Sequence, residues 1–566
     1  MHRLFLHLLI FCITFWSLSV SAGQPSQAAI ATAHPLATRA GMEILEQGGN
    51  AFDAAVAITA VLAVVEPYSS GLGGGGFWLL HRATDGKQAM IDGRETAPVF
   101  ATAKLYMDKS GKVNKELSLN GPLAAGIPGI PAGLVYLNEQ YGRLTLAQNL
   151  APAVRYAKEG FQVTEIYQRL AGFRLDTLRA SPDAAAIFLH ENNVPPSGHL
   201  IVQQDLAKTL ARIAEHGAAG FYAGKLAGKL IDGVRNNGGV WTESDLAAYK
   251  IVERQPIITH YQDIRVISAP PPSSGGIVLG QALNILQNFD LQRFDNITRK
   301  HVIIEAMRRA FRDRAAYLGD ADFAEVPVER LLDNDYAEGL AASIELDRAT
   351  PSTELGGFPI AEQTGTDTTH FSVLDTEGNR VAATLSINMP FGSGFVPPGT
   401  GVLLNDEMDD FAIKPLWPNA YGLVGDEANS IEPRKRPLSS MTPTFLETGD
   451  YIAILGTTGG SRIITTVLLG VLDFAAGALP KSWVSIPRYH HQYLPDEVQF
   501  EQGALTAIEL AGLRNLGHAL NEKDRLYGNM QAILWWKEKN LVFAASDPRG
   551  EGVAVVSAIT NLAQPK

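Results

Sequence analysis

Cysteine is almost absent from this chain, whose 566 residues contain a single one, Cys12. Cys12 lies in an apolar segment near the N-terminus, so a chain that loses this segment contains no thiol. That absence excludes disulfides, cysteine metal sites and cysteine nucleophiles together. An exported protein whose core needs no covalent crosslinks suits a bacterial periplasm.

Hydrophobic runs of transmembrane length without charges or glycines are also missing after residues 1–22, which have the pattern of a signal peptide. His2 and Arg3 form a short basic start, residues 4–16 are apolar, and small residues lead up to Ala22. The apolar run is short for a membrane-spanning helix of roughly 20 residues, which disfavours a permanent anchor. We predict export to a bacterial periplasm or secretion, cleavage near Ala22, and no membrane span in the mature chain.

An excess of basic residues is lacking too, because 47 Lys and Arg stand against 59 Asp and Glu, for a formal net charge of −12. This balance disfavours nucleic acid and anionic membrane surfaces as partners. With 46% hydrophobic and 19% charged residues, the composition is that of an ordinary globular protein. The length allows a large core or several domains.

The first half of the chain has clear helical and turn patterns. Residues 36–47 predict an amphipathic helix that ends at two glycines, and residues 51–65, nearly all small or apolar, predict a fully buried helix. Residues 71–76 are glycine-rich and precede the apolar strand 77–80. No Gly-Lys-Ser/Thr follows, so a phosphate loop is disfavoured and we predict a turn with close backbone approach. Residues 130–350 are mostly helical patterns, with one break before a helix at Ile277.

A β-hairpin is predicted directly after Thr368. Residues 369–374 and 381–387 alternate in hydrophobicity and flank a turn at 375–379, so Thr368 lies at the mouth of the hairpin. If the bond between Asp367 and Thr368 is cut, Thr368 gains a free α-amine beside its hydroxyl. That amine, with a reference pKa of roughly 7.7–8.0, can act as the base that activates the hydroxyl. A threonine on a strand is more often structural, so the surrounding motifs decide.

Two charged motifs have alternative interpretations. In residues 92–95, Arg94 either clamps a carboxylate through its bidentate fork or forms a surface ion pair with Glu95. Residues 405–410 contain four acids in six positions, without the ligand spacing and central glycine of a calcium loop. They either recognise a substrate ammonium or form a solvated acidic turn.

Three further motifs concern anions and metals. Ser439 and Ser440 follow a proline and either hold a carboxylate or cap a turn. Gly459 and Gly460, between a predicted strand at 452–455 and a helix, either form an oxyanion pocket or a tight turn. The pair His490-His491 lacks a third ligand at useful spacing, so we predict no metal site there. A long segment at 414–429, rich in Pro, Asn and Gly, is typical of a lid.

Together these motifs, from residues 48–55 to residues 546–549, resemble the γ-glutamyltranspeptidase family, also called glutathione hydrolases. The resemblance implies an α+β N-terminal-nucleophile hydrolase fold, with two central sheets sandwiched by helices as αββα. It also implies a precursor that cleaves itself into a large subunit, 23–367, and a small subunit, 368–566. In that step the hydroxyl of Thr368 attacks the carbonyl of Asp367, and water hydrolyses the resulting ester.

The resemblance assigns roles to individual residues of this chain. Those expected to bind the α-carboxylate of a γ-glutamyl group are Arg94, Ser439 and Ser440; those expected to bind its α-amine are Asn388, Glu407 and Asp410; the oxyanion hole is Gly459 and Gly460, and Tyr421 belongs to the lid. The residue hydrogen-bonded to the nucleophile, often Thr in the family, is Ser386 here. Met389-Pro390 is a second departure from the family pattern.

The implied reaction is a ping-pong acyl transfer without cofactor or metal. Thr368 attacks the γ-amide of glutathione or another γ-glutamyl compound, and the γ-glutamyl ester passes to water, an amino acid or a peptide. A glutaryl-cephalosporin acylase of the same fold is the nearest alternative, although a glutaryl group has no α-amine for Asn388, Glu407 and Asp410 to bind. A non-catalytic homologue that only binds γ-glutamyl ligands is the other alternative.

Overall fold

The structure, a computed structural model, describes residues 23–356 and 368–559. Its strands are β1 (Ala28–Thr32), β2 (Gly75–Arg82), β3 (Lys87–Gly93), β4 (Phe161–Gln162), β5 (Leu200–Ile201), β6 (Val252–Arg254), β7 (Ile257–Tyr261), β8 (Ile264–Ser268), β9 (Thr369–Leu374), β10 (Arg380–Ser386), β11 (Thr444–Glu447), β12 (Tyr451–Gly456), β13 (Tyr489–His490), β14 (Val498–Glu501), β15 (Leu520–Lys523), β16 (Gln531–Trp536), β17 (Leu541–Ser546) and β18 (Val553–Ser557).

Its α-helices are α1 (Pro35–Glu46), α2 (Ala51–Val65), α3 (Lys115–Leu119), α4 (Ile130–Tyr141), α5 (Leu146–Glu159), α6 (Glu165–Phe173), α7 (Leu175–Arg179), α8 (Pro182–Phe188), α9 (Gln204–His216), α10 (Ala219–Tyr222), α11 (Gly224–Asn236), α12 (Glu243–Ala248), α13 (Gly275–Leu286), α14 (Asn296–Tyr317), α15 (Val328–Leu331), α16 (Asn334–Ala342), α17 (Arg462–Ala475), α18 (Pro480–Ser485) and α19 (Ala507–Asn515). Within the described residues, no helix is long and apolar enough to span a bilayer.

Two large sheets form the centre of the molecule. One has seven strands in the order β18-β1-β9-β10-β2-β3-β6, and the other has six in the order β17-β16-β12-β11-β8-β7. Apolar side chains from both sheets, including Phe77 and Leu79 of β2, form a buried cluster between them. Trp78 and Leu80 point to the opposite face, where α1, α2 and α4 pack. Helices α13, α14 and α17 cover the other sheet, so the predicted four-layer αββα sandwich is confirmed.

The buried helix predicted at 51–65 is α2, which has these same bounds and is buried at every position. Asn50 and Asp53 form a capping box at its start, satisfying backbone N–H groups that would otherwise lack partners. The preceding helix α1 ends just before Gly48, whose φ is +89°. At Gly41 an added Cβ would lie 2.7 Å from Ile58, so small residues allow the two helices to pack closely.

The glycine-rich turn at 71–76 brings backbones together as predicted. An added Cβ at Gly73 would lie 2.1 Å from the carbonyl oxygen of Leu403, and one at Gly74 would lie 2.1 Å from that of Ser386. The strand itself begins at Gly75, two residues earlier than the apolar run indicates. The helical prediction for 130–350 omitted the strands β4 to β8. Of these, β6 and β7 are edge strands whose polar, half-exposed residues weaken the alternation signal, whereas β8 lies between β7 and β11.

The hairpin after Thr368 is present as β9 and β10, with the second strand starting at Arg380. Strand β9 also pairs with β1, so it lies inside the sheet and not at its edge. The seven-stranded sheet therefore contains strands from both sides of Thr368, with β1 inserted between β18 and β9. The predicted signal segment and Asp367 lie outside the described residues.

Candidate active site

Thr368 immediately precedes β9 and is 7% exposed. The backbone N–H of Gly459 donates a hydrogen bond to its Oγ1 at 3.1 Å. The two residues meet because the end of β12 lies close against β9. Gly456 ends β12 and His370 belongs to β9, and a Cβ added at Gly456 would lie only 2.2 Å from Cε1 of His370. Gly459 and Gly460 then turn the chain into α17 with φ of +126° and +58°, which favour glycine.

The predicted site residues surround a single pocket. Of the predicted residues that the structure describes, Gly459 contacts Thr368 and does not itself line the pocket. The others form its wall: Arg94, Thr368, Ser386, Asn388, Glu407, Asp410, Tyr421, Ser439, Ser440 and Gly460. Arg314, Leu423, Leu438, Met441 and Ile463 complete the lining. Ser386 is the last residue of β10, Arg314 lies on α14 and Ile463 on α17. Glu407 and Asp410 lie on a short 3-10 helix, and the other lining residues lie in loops. Their individual roles stay predictions.

Arg94, which follows β3, is a buried residue that forms ion pairs with several acids. Its guanidinium pairs with Glu407 at 2.6 Å and with Asp410 at 2.5 Å. Glu95 is a weaker partner at 3.4 Å. The alternative of a surface ion pair with Glu95 is therefore wrong, because the Arg94 side chain is 1% exposed.

The acidic motif lies on a short 3-10 helix, Glu407–Asp410, and Glu407 is buried, so the solvated-turn alternative is wrong as well. Burial raises the pKa of both Glu407 and Glu95, because Arg94 only partly offsets the cost of desolvating two carboxylates. Within the described residues Glu407 Oε1 has no hydrogen-bond partner. The pocket thus offers a buried acceptor and an excess of acids, which favours a cationic ligand group.

Asn388 links the pocket to the lid. Its φ is +74°, and its N–H donates to Ser386 Oγ at 2.7 Å. Its carbonyl oxygen accepts the hydroxyl of Tyr421 at 2.8 Å. Both Ser386 and Thr368 are among the described residues, and they form no hydrogen bond with each other. Ser386 instead accepts the backbone N–H of Asn388. The hydrogen bond that the resemblance implied for Ser386 is therefore replaced by a backbone contact.

The 414–429 segment closes over this pocket. Asp409 accepts the N–H of Ala420 at 2.7 Å, and Asp410 accepts the side-chain amide of Asn419 at 2.9 Å. The ring of Tyr421 lies on Gly460, where an added Cβ would be 2.3 Å from the ring. Acidic residues beside the pocket thus also hold the lid.

Arg314, on α14, is a pocket residue that the sequence motifs did not indicate. Its Nε donates to Ser274 Oγ at 2.9 Å and its Nη2 donates to Ser440 Oγ at 3.2 Å. Burial lowers its pKa to about 10, so it remains a cation at neutral pH. In the sequence it is one of several arginines on a long helix, and nothing in the spacing separates it from Arg308 or Arg309.

The described residues give no support for a resident metal. His490 contacts Thr465 and Gln492, and no further metal-binding side chain gathers there. The one described cluster close enough to bind an ion is His301, Glu305 and His518. Its ligand atoms already have partners: the two imidazoles hydrogen-bond to each other at 2.7 Å, and Glu305 pairs with two arginines.

The comparisons with known proteins agree with this geometry. The sequence profile described as Gamma-glutamyltranspeptidase matches residues 37–557. A Glutathione hydrolase proenzyme of Escherichia coli (strain K12) is 42% identical over 528 residues, covering 92% of this chain and 90% of that protein.

Two solved structures are also similar. The cephalosporin acylase from Bacillus halodurans has a TM-score of 0.82 and 29% identity, covering 94% of this chain and 96% of its own. The Helicobacter pylori gamma-glutamyltranspeptidase has a TM-score of 0.56 and 40% identity, covering 57% of this chain and 93% of its own. With a family profile spanning nearly all the described residues, this chain belongs to the γ-glutamyltranspeptidase family.

Proposed function

We propose that this protein is a self-cleaving γ-glutamyltransferase and glutathione hydrolase with Thr368 as its nucleophile. The observation that carries the proposal is the hydrogen bond from Gly459 N–H to Thr368 Oγ1, made at the edge of a buried pocket that contains both charge signs. A nucleophile, an N–H donor and a site for a zwitterionic acyl group thus lie side by side. This arrangement suits acyl transfer.

Maturation in this proposal is hydrolysis of the bond between Asp367 and Thr368. The Thr368 oxygen attacks the Asp367 carbonyl, the C–N bond breaks as nitrogen takes a proton, and water hydrolyses the ester to a free carboxylate and the Thr368 hydroxyl. The large subunit 23–367 and the small subunit 368–566 remain associated, because both contribute strands to the seven-stranded sheet.

Catalysis then uses the same oxygen. The Thr368 amine accepts the hydroxyl proton, and the oxygen attacks the γ-carbonyl of the donor. The N–H of Gly459, with that of Gly460, stabilises the oxyanion; one such donor is worth about 10²–10³ in kcat. The amine product departs with a proton, and water or an acceptor amine releases the γ-glutamyl group from the ester.

The charges of the pocket favour glutathione and other γ-glutamyl donors. Glu407, Asp410 and Asn388 suit an α-ammonium, while Arg94, Ser439 and Ser440 suit an α-carboxylate. A glutaryl donor has no ammonium and would leave Glu407 buried without a partner for its Oε1. Similarity to a cephalosporin acylase reflects the fold, and the pocket residues favour the γ-glutamyl reaction.

The acceptor is proposed to approach from the other side of the nucleophile. Thr368 also lines a second, larger cavity, whose polar wall includes Thr458, Asn529, Arg169 and Glu551. Such a wall suits the amine and carboxylate of an amino acid or a short peptide, in keeping with the proposed acceptors. We also propose export of the mature enzyme, on the pattern of residues 1–22.

Gel electrophoresis and N-terminal sequencing test the proposed maturation. Wild-type protein should give two fragments, the smaller starting at Thr368, and Thr368→Ala should stay uncut. Thr369→Val is the matched control, because the neighbouring hydroxyl is buried without a hydrogen-bond partner among the described residues; it should be cut normally. Cleavage of Thr368→Ala at the same bond would contradict the proposal.

Donor choice is tested with the mature enzyme and two anilides. We expect γ-glutamyl-p-nitroanilide to be cleaved with a much higher kcat/KM than glutaryl-p-nitroanilide. The reverse preference would favour the acylase alternative, and a cut protein with no activity on either anilide would favour the binding-only alternative.

A further inference from the structure

Arg314 is a buried cation that lacks a carboxylate partner. Its side chain lines the pocket on the wall that carries Ser439 and Ser440 and is 4% exposed. Among the described residues no Asp or Glu oxygen lies within 4.0 Å of its guanidinium nitrogens, and its hydrogen bonds go to the hydroxyls of Ser274 and Ser440. A buried arginine normally pairs with an acid, so an unpaired one beside a pocket indicates a site for an anion.

The other arginine of the pocket has the opposite surroundings. Arg94 pairs with Glu407 and Asp410 and lies near Glu95. An incoming carboxylate therefore meets repulsion from these acids at Arg94. Arg314 has no acid within ion-pair distance, and Asp410 acts on its charge only from farther away. Of the two arginines, Arg314 therefore has the charge that the protein's own acids neutralise less.

Arg314 is also joined to both serines of that wall. Ser274, which accepts its Nε–H, donates its own hydroxyl to the carbonyl oxygen of Ser439 at 2.7 Å. The Ser274 N–H donates to the same carbonyl at 2.8 Å. Ser440 accepts Nη2–H directly, so the Ser440 hydroxyl hydrogen is free to donate to a ligand anion.

We propose that Arg314 is a specificity-determining residue for the α-carboxylate of the acyl donor, supplying the positive charge that Arg94 shares with its acids. The class of ligand is a γ-acyl donor with a free α-carboxylate. This inference rests on the proposed function, and it makes Arg314 act on substrate choice and KM more than on the chemistry at Thr368.

The test compares two anilides that differ only in the α-carboxylate, γ-glutamyl-p-nitroanilide and 4-aminobutyryl-p-nitroanilide. In Arg314→Met we expect kcat/KM for the first to fall about 10- to 100-fold, the range for a lost hydrogen bond to a charged group, mainly through KM. For the second it should change less than about 3-fold. Arg314→Lys should recover part of the loss, since it keeps the charge without the fork.

Arg312→Met is the matched control, because Arg312 lies on the same helix but outside the pocket, beside Asp313. It should leave both anilides unaffected. Equal losses on both anilides in Arg314→Met, or no loss on either, would overturn the inference while the wild-type preference keeps the proposed function intact. A wild-type enzyme inactive on γ-glutamyl-p-nitroanilide would instead overturn the proposed function.

If Arg314→Met does not mature, Ser274→Ala gives a second measurement. It removes the hydroxyl that holds Arg314 Nε and joins it to the Ser439 carbonyl. A selective loss of about 3- to 10-fold on the γ-glutamyl anilide is expected, whereas a loss shared by both anilides contradicts the inference.

Discussion

Two buried ionic clusters in this molecule differ in saturation, that is, in how completely their charged atoms have hydrogen-bond or ion-pair partners. On α14, Glu305 pairs with Arg308 at 3.1 Å and with Arg309 at 2.5 Å. The remaining guanidinium N–H groups reach oxygens of neighbouring residues, such as Ser343 and Thr350. In the pocket, by contrast, acids outnumber Arg94, and Glu407 Oε1 has no hydrogen-bond partner among the described residues.

The two clusters also differ in the direction in which the pKa of their glutamates is shifted. The two arginines lower the pKa of Glu305 to about 2 against the effect of burial, whereas burial raises the pKa of Glu407 despite Arg94. We expect the saturated cluster to act on stability and the unsaturated one, which lines the pocket, to be completed by a ligand. Burial and charge alone do not separate the two; the count of partners and the position at the pocket do.

The largest expected effect comes from breaking the saturated cluster. Glu305→Gln leaves the buried Arg309 without its acid and Arg308 with Asp496 alone, so we expect the free energy of unfolding to fall by about 3–5 kcal/mol, measured by chemical denaturation. Activity of the folded fraction should be unchanged. Glu345→Gln, in an exposed pair with Arg348, is the control and should have no measurable effect. A stable Glu305→Gln protein would contradict this view of the cluster.

Substitution in the unsaturated cluster should reduce activity without reducing stability. Glu407→Gln removes a charge that the substrate ammonium is proposed to meet, so kcat/KM for γ-glutamyl-p-nitroanilide should fall about 10- to 100-fold. Activity on the glutaryl anilide should be equal or higher, and thermal stability should not fall. Glu427→Gln, exposed in the lid segment, is the control. Equal losses on both anilides would mean that Glu407 acts on the fold of the pocket.

The two clusters should also differ in the sign of their pH dependence. The folded-state pKa of Glu305 lies below its ordinary 4.5, so its stabilisation is present above pH 4.5 and lost as pH falls towards about 2. The folded-state pKa of Glu407 lies above 4.5, so its contribution is most favourable below that pH and declines as pH rises. Denaturation curves should be recorded between about pH 3 and pH 7, a range around these pKa values. In this range the stabilities of Glu305→Gln and Glu407→Gln should diverge from that of the wild type in opposite directions.

The smallest effect is expected at the lid. Asp409→Ala removes the acceptor of the Ala420 N–H, and also that of the Ser118 hydroxyl outside the lid. It should loosen the segment over the pocket and reduce kcat/KM by about 3- to 10-fold, as for one hydrogen bond lost at the lid. Asp409→Asn keeps an acceptor oxygen and should lie closer to wild type. Steady-state kinetics of both variants check this, and equal activity of Asp409→Ala and wild type would mean that Asp409 does not control the lid.

The sequence predicted local features better than long-range pairings. The helix α2, the hairpin after Thr368 and the glycine turn at 71–76 follow from patterns within a few residues. The pocket residues were found because their motifs resemble a family, and the structure brings them together. The pairing of Arg94 with Glu407 and the position of Arg314 depend on contacts between distant segments, which no local pattern records.

Strand β9 has a consequence for the chain end that cleavage creates. New termini ordinarily fray, because they are held by few hydrogen bonds on one side. Here the residue that follows the new end, Thr369, is paired with Leu385 of β10, and from Phe371 onwards β9 is also paired with β1. An amine generated at Thr368 would therefore be held between a paired strand residue and the hydrogen bond from Gly459 to its own side chain, and less conformational entropy would remain to be lost when it is positioned for catalysis.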